Sequence, residues 1–281
     1  MRSESLKNIV RAAVPRELRN WLRSPSRSLE WLWDSARFSF GNTIALELVS
    51  GLTIACHPAA YKIFRNAQIE DPEQRDEFTN FISHCSDKML LFDVGAHWGV
   101  FSLAAALKGA TVVAMDPSRT ATRMITVQSE INKCKDRISV LESAASDAAG
   151  FIEMLGAGVF TAGYFRVSHG RMKKDLTTVR STTIDKLSET FGYPTHIKID
   201  VEGYEIAALR GAHATLEHKS PLLFLELHNE IIAHDGGQPE ATLEFLSDHG
   251  YVTLALDGSK LSRGAILGKP IIRVVARKEQ P

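Results

Sequence analysis

Two apolar runs of this 281-residue chain each end in side chains that could move a proton. Asp200 and Glu202 follow one run, and Glu226 and His228 end another. Because side chains two residues apart in a strand point to the same side, each pair could face a common cleft. Histidine has an unperturbed pKa near neutrality, so His228 is the first candidate for a general base and Asp200 is the second. Lys198 could pair with one of the carboxylates.

The same four residues also allow interpretations without catalysis. Asp200 and Glu202 could cap a helix that begins near Tyr204, and His228 could be a structural histidine. Together they could bind Mg²⁺ or another divalent ion, for which carboxylate oxygens are typical ligands. Because no dense carboxylate pattern is visible, we predict a catalytic set and no metal site.

A loop with two glycines lies between an apolar run and an alanine-rich helical segment. Gly95 would allow a sharp turn after the strand, and Gly99 would let the helix begin close to a ligand. Asp116 ends the next apolar run about 20 residues downstream, where an acidic side chain can bind both ribose hydroxyls. The loop and the acidic residue predict a site for a nucleoside-bearing cofactor.

The charge of this loop separates two classes of cofactor. A dinucleotide site typically has G-x-G-x-x-G, whereas this loop has G-x-x-x-G with Asp93 two residues before the first glycine. A carboxylate there would repel a pyrophosphate but would suit the ammonium group of a methionine moiety. We therefore predict S-adenosylmethionine as the cofactor, and an NAD-dependent oxidoreductase is the less favoured alternative.

Several segments resemble the FkbM family of S-adenosylmethionine-dependent methyltransferases. They are FDVGAHWG at 92–99, SAASD at 143–147, IKIDVEGYE at 197–205 and the shorter LELH at 225–228. The resemblance extends from about Met89 to His228. It implies a seven-stranded sheet and methylation of a hydroxyl oxygen on a sugar, polyketide or similar secondary metabolite.

The resemblance also implies roles for single residues in holding the cofactor. Asp93, Gly95 and Gly99 would hold the methionine half, and we include His97 of the same loop among the cofactor-binding residues. Asp116 would hold the ribose, although a longer glutamate is common there in the family. The residues expected near the adenine are Glu142, Ser143 and Asp147.

The hydrophobic periodicity predicts the elements that position these residues. Apolar runs alternate with helical segments of about ten to fifteen residues, which indicates βαβ units and a mainly parallel sheet. The predicted strands are Met89–Val94, Thr111–Met115, Arg137–Glu142, His196–Ile199, Leu222–Leu227, Tyr251–Leu256 and Ile271–Ala276. The last two have no obvious helix between them and could pair antiparallel at the edge. We thus expect an α/β, Rossmann-like class I methyltransferase fold, with helices on both faces of a seven-stranded sheet.

Further elements are predicted outside this sheet. Hairpins are expected from Thr43–Val49 with Leu52–His57 and from Gly150–Leu155 with Phe160–Val167, and an acidic helix from Asp71 to His84. We divide the chain into an N-terminal helical and hairpin extension, 1–60, and a methyltransferase domain, 61–281.

Residues 1–40 are basic and carry three of the four tryptophans. Such a segment could lie on an anionic membrane surface or dock a partner, but Pro15 and Pro25 interrupt it, which favours a helical cap on the main domain. The basic run at 169–174 is expected to be a solvated loop, with contact to an anionic acceptor as the alternative.

The composition excludes several classes of function. The 33 Lys and Arg residues balance 33 Asp and Glu residues, whereas a dedicated nucleic-acid-binding protein usually has a basic excess. The three cysteines form no CxxC pair, which favours a reducing compartment. No secretory signal is seen and no apolar run reaches about 18 residues, so we expect a cytoplasmic protein.

The sequence as a whole predicts an S-adenosylmethionine-dependent O-methyltransferase. Its acceptor would be a hydroxyl of a small molecule, sugar or glycan. A methyltransferase-like domain that binds a cofactor or partner without catalysis is the alternative, with residues 1–40 as its working surface.

Overall fold

The computed structural model describes residues 42–48, 51–65, 72–155, 166–167 and 176–279. The basic tryptophan-bearing segment 1–40, the basic run 169–174 and most of the strand predicted at Phe160–Val167 lie outside the described residues. Within the described residues, no helix combines the length and apolar character that crossing a bilayer requires.

Among the residues that the structure describes, a hairpin and two helices precede the main sheet. They are β1 (Ile44–Glu47), β2 (Thr53–Cys56), α1 (Pro58–Arg65) and α2 (Pro72–His84). The predicted first hairpin is confirmed, because β1 and β2 pair antiparallel. The predicted acidic helix is also confirmed, and it buries Phe78 and Phe81 against the ring of Phe101.

Strands and helices then alternate as the periodicity predicts. The elements are β3 (Leu90–Val94), α3 (Val100–Leu107), β4 (Thr111–Asp116), α4 (Arg119–Ile131) and β5 (Ile138–Glu142). Helix α4 begins after Ser118, whose hydroxyl accepts a hydrogen bond from the amide N–H of Ala121. This contact satisfies one of the free N–H groups of the first turn.

A small four-stranded sheet is inserted after β5. Its strands are β6 (Ala144–Ala145), β7 (Gly150–Leu155), β8 (Arg166–Val167) and β9 (Leu176–Thr182), in the order β6-β9-β7-β8. The expected partner of β7 was the segment Phe160–Val167, but β7 pairs along its whole length with β9 and only at two positions with β8. Strand β9 was not predicted because its threonines give no alternation of apolar and polar residues.

The second half of the chain completes the main sheet. Its elements are α5 (Ile184–Phe191), β10 (His196–Ile199), α6 (Glu205–Arg210), α7 (His213–Lys219), β11 (Leu222–Leu227), α8 (Asn229–His234), α9 (Glu240–Asp248), β12 (Tyr251–Leu254), α10 (Arg263–Leu267) and β13 (Ile272–Lys278). The last two strands pair antiparallel at the edge as expected, but a helix that was not obvious from the sequence lies between them. Helix α10 lies there, capped by Ser262, but five residues are too few to show helical periodicity.

The main sheet has seven strands in the order β12-β13-β11-β10-β3-β4-β5. All neighbours are parallel except β13, which is antiparallel to both β11 and β12. Strand β3 lies between β4 and the central strand β10, and the chain extends to β4 and β5 before it returns to β10 on the other side of β3. This reversal of strand order creates a crevice at the carboxyl ends of β3 and β10, where open α/β sheets bind ligands.

The hydrophobic core lies on both faces of this sheet. Leu91, Val112 and Phe224 belong to the cluster that includes α2, α3 and α4 residues, and Phe92 and Val113 belong to the other cluster. Alternate residues of each strand therefore pack against helices on opposite faces, as in a parallel sheet buried on both sides. The predicted fold class is confirmed.

The first hairpin is tied to the main domain by two side chains, one in α4 and one directly after it. Asn132, which follows α4, accepts a hydrogen bond from the N–H of Ala55 at 2.9 Å and donates one to its carbonyl oxygen at 2.9 Å. The amide of Gln128 also accepts a bond from the N–H of His57 at 3.1 Å. The hairpin is thus hydrogen-bonded to α4 on the other side of the proposed boundary at residue 60.

Candidate functional site

A cavity of about 230 Å³ lies at the carboxyl edge of the main sheet. Its polar lining comes from residues that end or follow β3, β4, β10 and β11, among them Asp93, Asp116, Asp200 and Glu226. Its apolar lining includes Phe64 of α1 and Met154 of β7, together with Trp98 and Phe101. The cavity is therefore lined by three parts of the fold: the point where the strand order reverses, helix α1 and the inserted sheet.

The two glycines of the loop after β3 are required by their backbone conformations. Gly95 has φ of 80° and Gly99 has φ of 84°, in the left-handed region that favours glycine. A Cβ atom on Gly95 would lie 1.8 Å from the carbonyl oxygen of Asp200. Only a residue without a side chain leaves room here for the turn after β10. The backbone of the glycine loop is therefore in direct contact with the backbone of this turn.

Asp116 accepts hydrogen bonds from two backbone amides, one in the glycine loop and one at the start of α4. Its Oδ2 accepts a hydrogen bond from the N–H of His97 at 2.9 Å, and its Oδ1 accepts one from Ser118 at 2.7 Å. Burial raises the pKa of Asp116 to about 7, although these two amides act in the opposite direction. Asp116 also lines the cavity, where the sequence predicts that it binds a ribose.

Asp93 is buried at the base of the cavity. Its carboxylate accepts a hydrogen bond from the Ser102 hydroxyl at 2.5 Å, and its Cα pairs in register with that of Lys198. Burial raises the pKa of Asp93, while the Ser102 hydroxyl and the charge of Lys198 lower it. Asp93 lines the cavity, so its carboxylate could pair with a positively charged group of a ligand.

Of the three residues expected near an adenine, only Ser143 lines the cavity. Glu142 and Asp147 are exposed, and Asp147 accepts a hydrogen bond from the Ser146 hydroxyl at 3.2 Å. The structure thus brings Ser143 to the glycine loop and leaves the two acidic neighbours at the surface. Their role in cofactor binding stays a prediction.

The four predicted catalytic residues lie together, and three of them line the cavity. These three are Asp200, Glu202 and Glu226. The fourth, His228, is 2% exposed and lies behind them, with Nε2 at 3.5 Å from Glu202, 3.8 Å from Glu226 and 3.9 Å from Asp200. The expectation that both pairs face one cleft holds for the three carboxylates, whereas His228 is shielded from the cavity.

The choice of His228 as first candidate for the base does not fit this environment. Burial lowers the pKa of His228, but the hydrogen bond to Glu205 and the charges of Glu205, Asp200 and Glu202 outweigh it. The net effect raises the pKa to about 9. The imidazole is therefore charged near neutral pH and has no free lone pair to accept a proton. An unperturbed pKa applies to a histidine without charged neighbours, and the contact of His228 with Glu205 is not visible in the sequence.

The positive charges of Lys198 and Arg273 offset part of the negative charge of this cluster. Nζ of Lys198 lies 3.2 Å from Glu77 and 3.6 Å from Asp200, which confirms the expected pairing with one of the carboxylates. Arg273 of β13 donates a hydrogen bond to Glu226 at 2.7 Å. Burial and the charge of Asp200 nevertheless raise the pKa of Glu226 to about 8.

Glu77, Glu205 and Arg273 also belong to this cluster, although the sequence did not predict them. Glu205 belongs to the IKIDVEGYE segment but was given no role, and Glu77 lies on α2, where it resembled a surface residue of an acidic helix. Arg273 pairs directly with Glu226 in the register of β11 and β13. A basic residue within an otherwise apolar strand was the available signal.

Ligand atoms of Asp200, Glu226 and His228 lie within 4.8 Å of one another, a spacing that could hold a metal ion. Lys198 and Arg273 already contact two of these groups, and Nδ1 of His228 is hydrogen-bonded to Glu205. We therefore assign no metal site to this cluster.

The polar and charged groups that line the cavity suit S-adenosylmethionine. Within the described part of the chain, Nε2 of His97 and Nε1 of Trp98 are buried without a hydrogen-bond partner, and both residues line the cavity. Unpaired buried polar atoms are costly, so they indicate a place for ligand atoms. The carboxylates of Asp93 and Asp200 suit the positive charges of a sulfonium and an ammonium group.

Comparison with known protein families identifies one that matches this chain. A model of the methyltransferase FkbM domain matches residues 93–253, which is more than half of the chain. No protein of curated function matches the sequence.

Several solved structures are similar to this chain at low identity. A methyltransferase FkbM from Methylobacillus flagellatus has 18% identity and a TM-score of 0.46, over 78% of this chain and 58% of that one. An O-methyltransferase from Bacillus cereus, solved in complex with SAH, has 11% identity and a TM-score of 0.44, over 97% and 96% of the two chains. A precorrin-6y C5,15-methyltransferase from Geobacter metallireducens has 11% identity and a TM-score of 0.43, over 76% and 93%. The chain thus spans 58% of the length of the first of these structures.

Proposed function

The chain belongs to the FkbM methyltransferase family, whose cofactor is S-adenosylmethionine, and we propose that it methylates a hydroxyl oxygen of a sugar, glycan or secondary metabolite. The observation that carries this proposal is the group of three acidic side chains, Asp200, Glu202 and Glu226, in the lining of the cavity beside the glycine loop. A hydroxyl loses its proton when its oxygen is methylated, and a carboxylate next to the acceptor can take that proton.

The loop after β3 and the ends of the next two strands would hold the cofactor. Asp93, Gly95, His97 and Gly99 would contact the methionine half, Asp116 the ribose and Ser143 the adenine end. When bound, S-adenosylmethionine supplies an electrophilic methyl group. The protein must then align the acceptor oxygen and remove its proton.

Asp200 is the residue that we propose as the proton acceptor. Its side chain is 31% exposed and lines the cavity, whereas the side chain of His228 is 3% exposed behind it. Lys198 and His228 lie on two sides of the Asp200 carboxylate, at 3.6 Å and 3.9 Å, and hold it by charge. Glu202 and Glu226 complete the acidic lining and would orient the acceptor hydroxyl.

The acceptor would occupy the part of the cavity that lies outside the glycine loop. Phe64 of α1 and Met154 of β7 contribute apolar surface there, and both come from elements outside the alternating strands and helices of the main sheet. Substrate specificity in such folds is a property of these additions rather than of the sheet. We therefore propose that α1 and the inserted sheet select the acceptor.

Product analysis tests the chemistry of the transfer. The protein is incubated with methyl-labelled S-adenosylmethionine and a panel of neutral sugars, glycans and polyketide alcohols, and the products are treated with alkali. A methyl ether retains its label, whereas a methyl ester releases labelled methanol. Alkali-stable label on an acceptor oxygen supports the proposal, and label found only on nitrogen, carbon or an ester contradicts it.

The same assay separates the two alternatives. A protein that binds the cofactor but labels no acceptor of any class would support a binding domain without catalysis. Preference for NAD over S-adenosylmethionine would support an oxidoreductase, which the carboxylate of Asp93 disfavours.

A further inference from the structure

Glu205 is a buried carboxylate that lies outside the cavity lining. It is the first residue of α6, it is fully buried, and its Oε1 accepts a hydrogen bond from Nδ1 of His228 at 2.7 Å. The same oxygen accepts a second bond from the backbone N–H of Gly203 at 3.0 Å. A buried carboxylate is unfavourable without a counter-charge, and the imidazolium of His228 supplies one.

These two hydrogen bonds join the segments that carry all three cavity carboxylates. Gly203 belongs to the turn after β10 that contains Asp200 and Glu202, and His228 follows the end of β11, two residues after Glu226. One oxygen of Glu205 therefore fixes the position of one strand end relative to the other.

The turn itself depends on this contact. Glu202 has φ of 52° and Gly203 has φ of 94°, so both residues are in the left-handed region. A Cβ atom on Gly203 would lie 2.6 Å from Cγ2 of Ile231, so the turn also packs closely against α8. A non-glycine residue in this conformation requires support from its surroundings, and the bond from Gly203 to Glu205 provides it.

The bond to Glu205 also decides which atom of His228 faces the carboxylates. Nδ1 donates its proton to Glu205, so only Nε2 can point to Asp200, Glu202 and Glu226. The distances from Nε2 to these groups, 3.5–3.9 Å, are longer than a good hydrogen bond, so the effect is mainly that of a fixed positive charge. Two further cations contact single members of this group, Arg273 at Glu226 and Lys198 at Asp200.

From this geometry we propose that Glu205 is a positioning residue, which holds charged His228 against the cavity carboxylates so that Asp200 is kept in place to accept the proton. The proposal rests on the proposed function, because it concerns the same cavity and the same proton transfer. Neither Glu205 nor His228 touches the acceptor in this account. Both act through the carboxylates in front of them.

The variant Glu205→Gln tests the charge of this residue at constant shape. The glutamine oxygen can still accept both hydrogen bonds, so the turn should form, but the negative charge is lost. We expect the imidazole of His228, followed by its ¹⁵N resonances in the full chain, to titrate about 1–2 pH units lower than in the wild type. Glu217→Gln is the matched control, because Glu217 is exposed and lies near another histidine, His213.

Kinetics of the same variants separate positioning from a purely structural role. In Glu205→Gln we expect kcat to fall about tenfold, with little change in the KM for S-adenosylmethionine. His228→Gln should give a similar loss, and the double variant should lose no more than either single variant, because the two residues act as one unit. His228→Gln also carries the test if Glu205→Gln does not fold.

An unchanged titration of His228 in Glu205→Gln would overturn the proposal, as would an unchanged kcat or multiplicative losses in the double variant. A failure of the proposed function would give a different experimental result. A wild-type protein that binds S-adenosylmethionine but methylates no hydroxyl would contradict O-methyl transfer. The titration of His228 would still support or overturn its link to Glu205.

Discussion

The carbonyl oxygen of Asp200 occupies the space next to Gly95 that a Cβ atom would need, at only 1.8 Å from where that atom would lie. The cofactor loop and the turn with the proposed proton acceptor are therefore fixed relative to each other by direct backbone contact. Such contact is rigid, since backbone atoms cannot move aside as a flexible side chain can. A methyl donor held by the loop and an acceptor held by the turn would share this alignment.

The close approach predicts a large effect of Gly95→Ala. The new methyl group would meet the backbone of Asp200, and alanine would also be strained at φ of 80°. We expect a loss of on the order of 3 kcal/mol in the free energy of unfolding, measured by chemical denaturation. Gly236→Ala is the control, because Gly236 has φ of 85° but open space around it, and should lose only about 1 kcal/mol. Equal losses in the two variants would show that the contact with Asp200 is unimportant.

The charge of Asp93 is predicted to be essential for cofactor binding. Asp93→Asn keeps the shape of the buried side chain but removes the negative charge at the base of the cavity. We expect the Kd for S-adenosylmethionine to rise about 100-fold, as for the loss of a charge-assisted contact. Calorimetric titration measures it, with exposed Asp257→Asn as the control. An affinity within threefold of the wild type would remove Asp93 from the cofactor site.

The relative loss of kcat in variants of Asp200 and His228 tests which of the two residues takes the proton. Asp200→Asn should lower kcat by about 100- to 10,000-fold, the range expected for a general base. His228→Gln should lower it only about tenfold, because His228 is shielded from the cavity and acts through its charge. Steady-state kinetics at saturating cofactor decide this. The reverse order of losses would make His228 the base.

Raised pKa values predict a loss of stability in alkaline solution. The pKa of His228 rises from 6.5 to about 9 on folding, so its contribution is fully present below pH 6.5 and is lost as the pH rises through 9. The difference in unfolding free energy between the wild type and His228→Gln should therefore shrink by roughly 2–3 kcal/mol between pH 6 and pH 10. Urea denaturation at several pH values measures this difference. A difference that does not change with pH would mean that His228 is neutral in the folded protein.

The hairpin before the main sheet is predicted to depend on Asn132. Asn132→Ala would leave the N–H and the carbonyl oxygen of Ala55 without their partner, which should reduce stability by about 1–3 kcal/mol. Thr190→Ala removes an exposed hydroxyl that bonds only within α5, and should change stability by less than about 0.5 kcal/mol. Thermal denaturation compares the two. Similar melting temperatures would show that the hairpin is not anchored by Asn132.

The fold was predictable because its signals are local. The parallel strands are buried on both faces, so each forms a continuous apolar run, and helix α4 has a serine cap. Strand β9 and helix α10 were missed because one is threonine-rich and the other has five residues. Their existence depends on partners that are distant in sequence.

The site was predictable in its position but not in its electrostatics. Parallel strands bring the ends of β10 and β11 to one edge, so Asp200, Glu202 and Glu226 line one cavity, as the sequence predicts. The pKa of His228 depends on Glu205, which lies 23 residues away in the chain. No local pattern shows that two such residues are in contact, so the sequence suggested a base where the fold places a buried cation.

Cofactor binding is the central claim, and one calorimetric experiment tests it. The purified protein is titrated in parallel with S-adenosylmethionine, S-adenosylhomocysteine and NAD. The account predicts that the two sulfur compounds bind at one site per chain and that NAD does not, because Asp93 would repel a pyrophosphate. Folded protein that binds neither sulfur compound, or that prefers NAD, would contradict it.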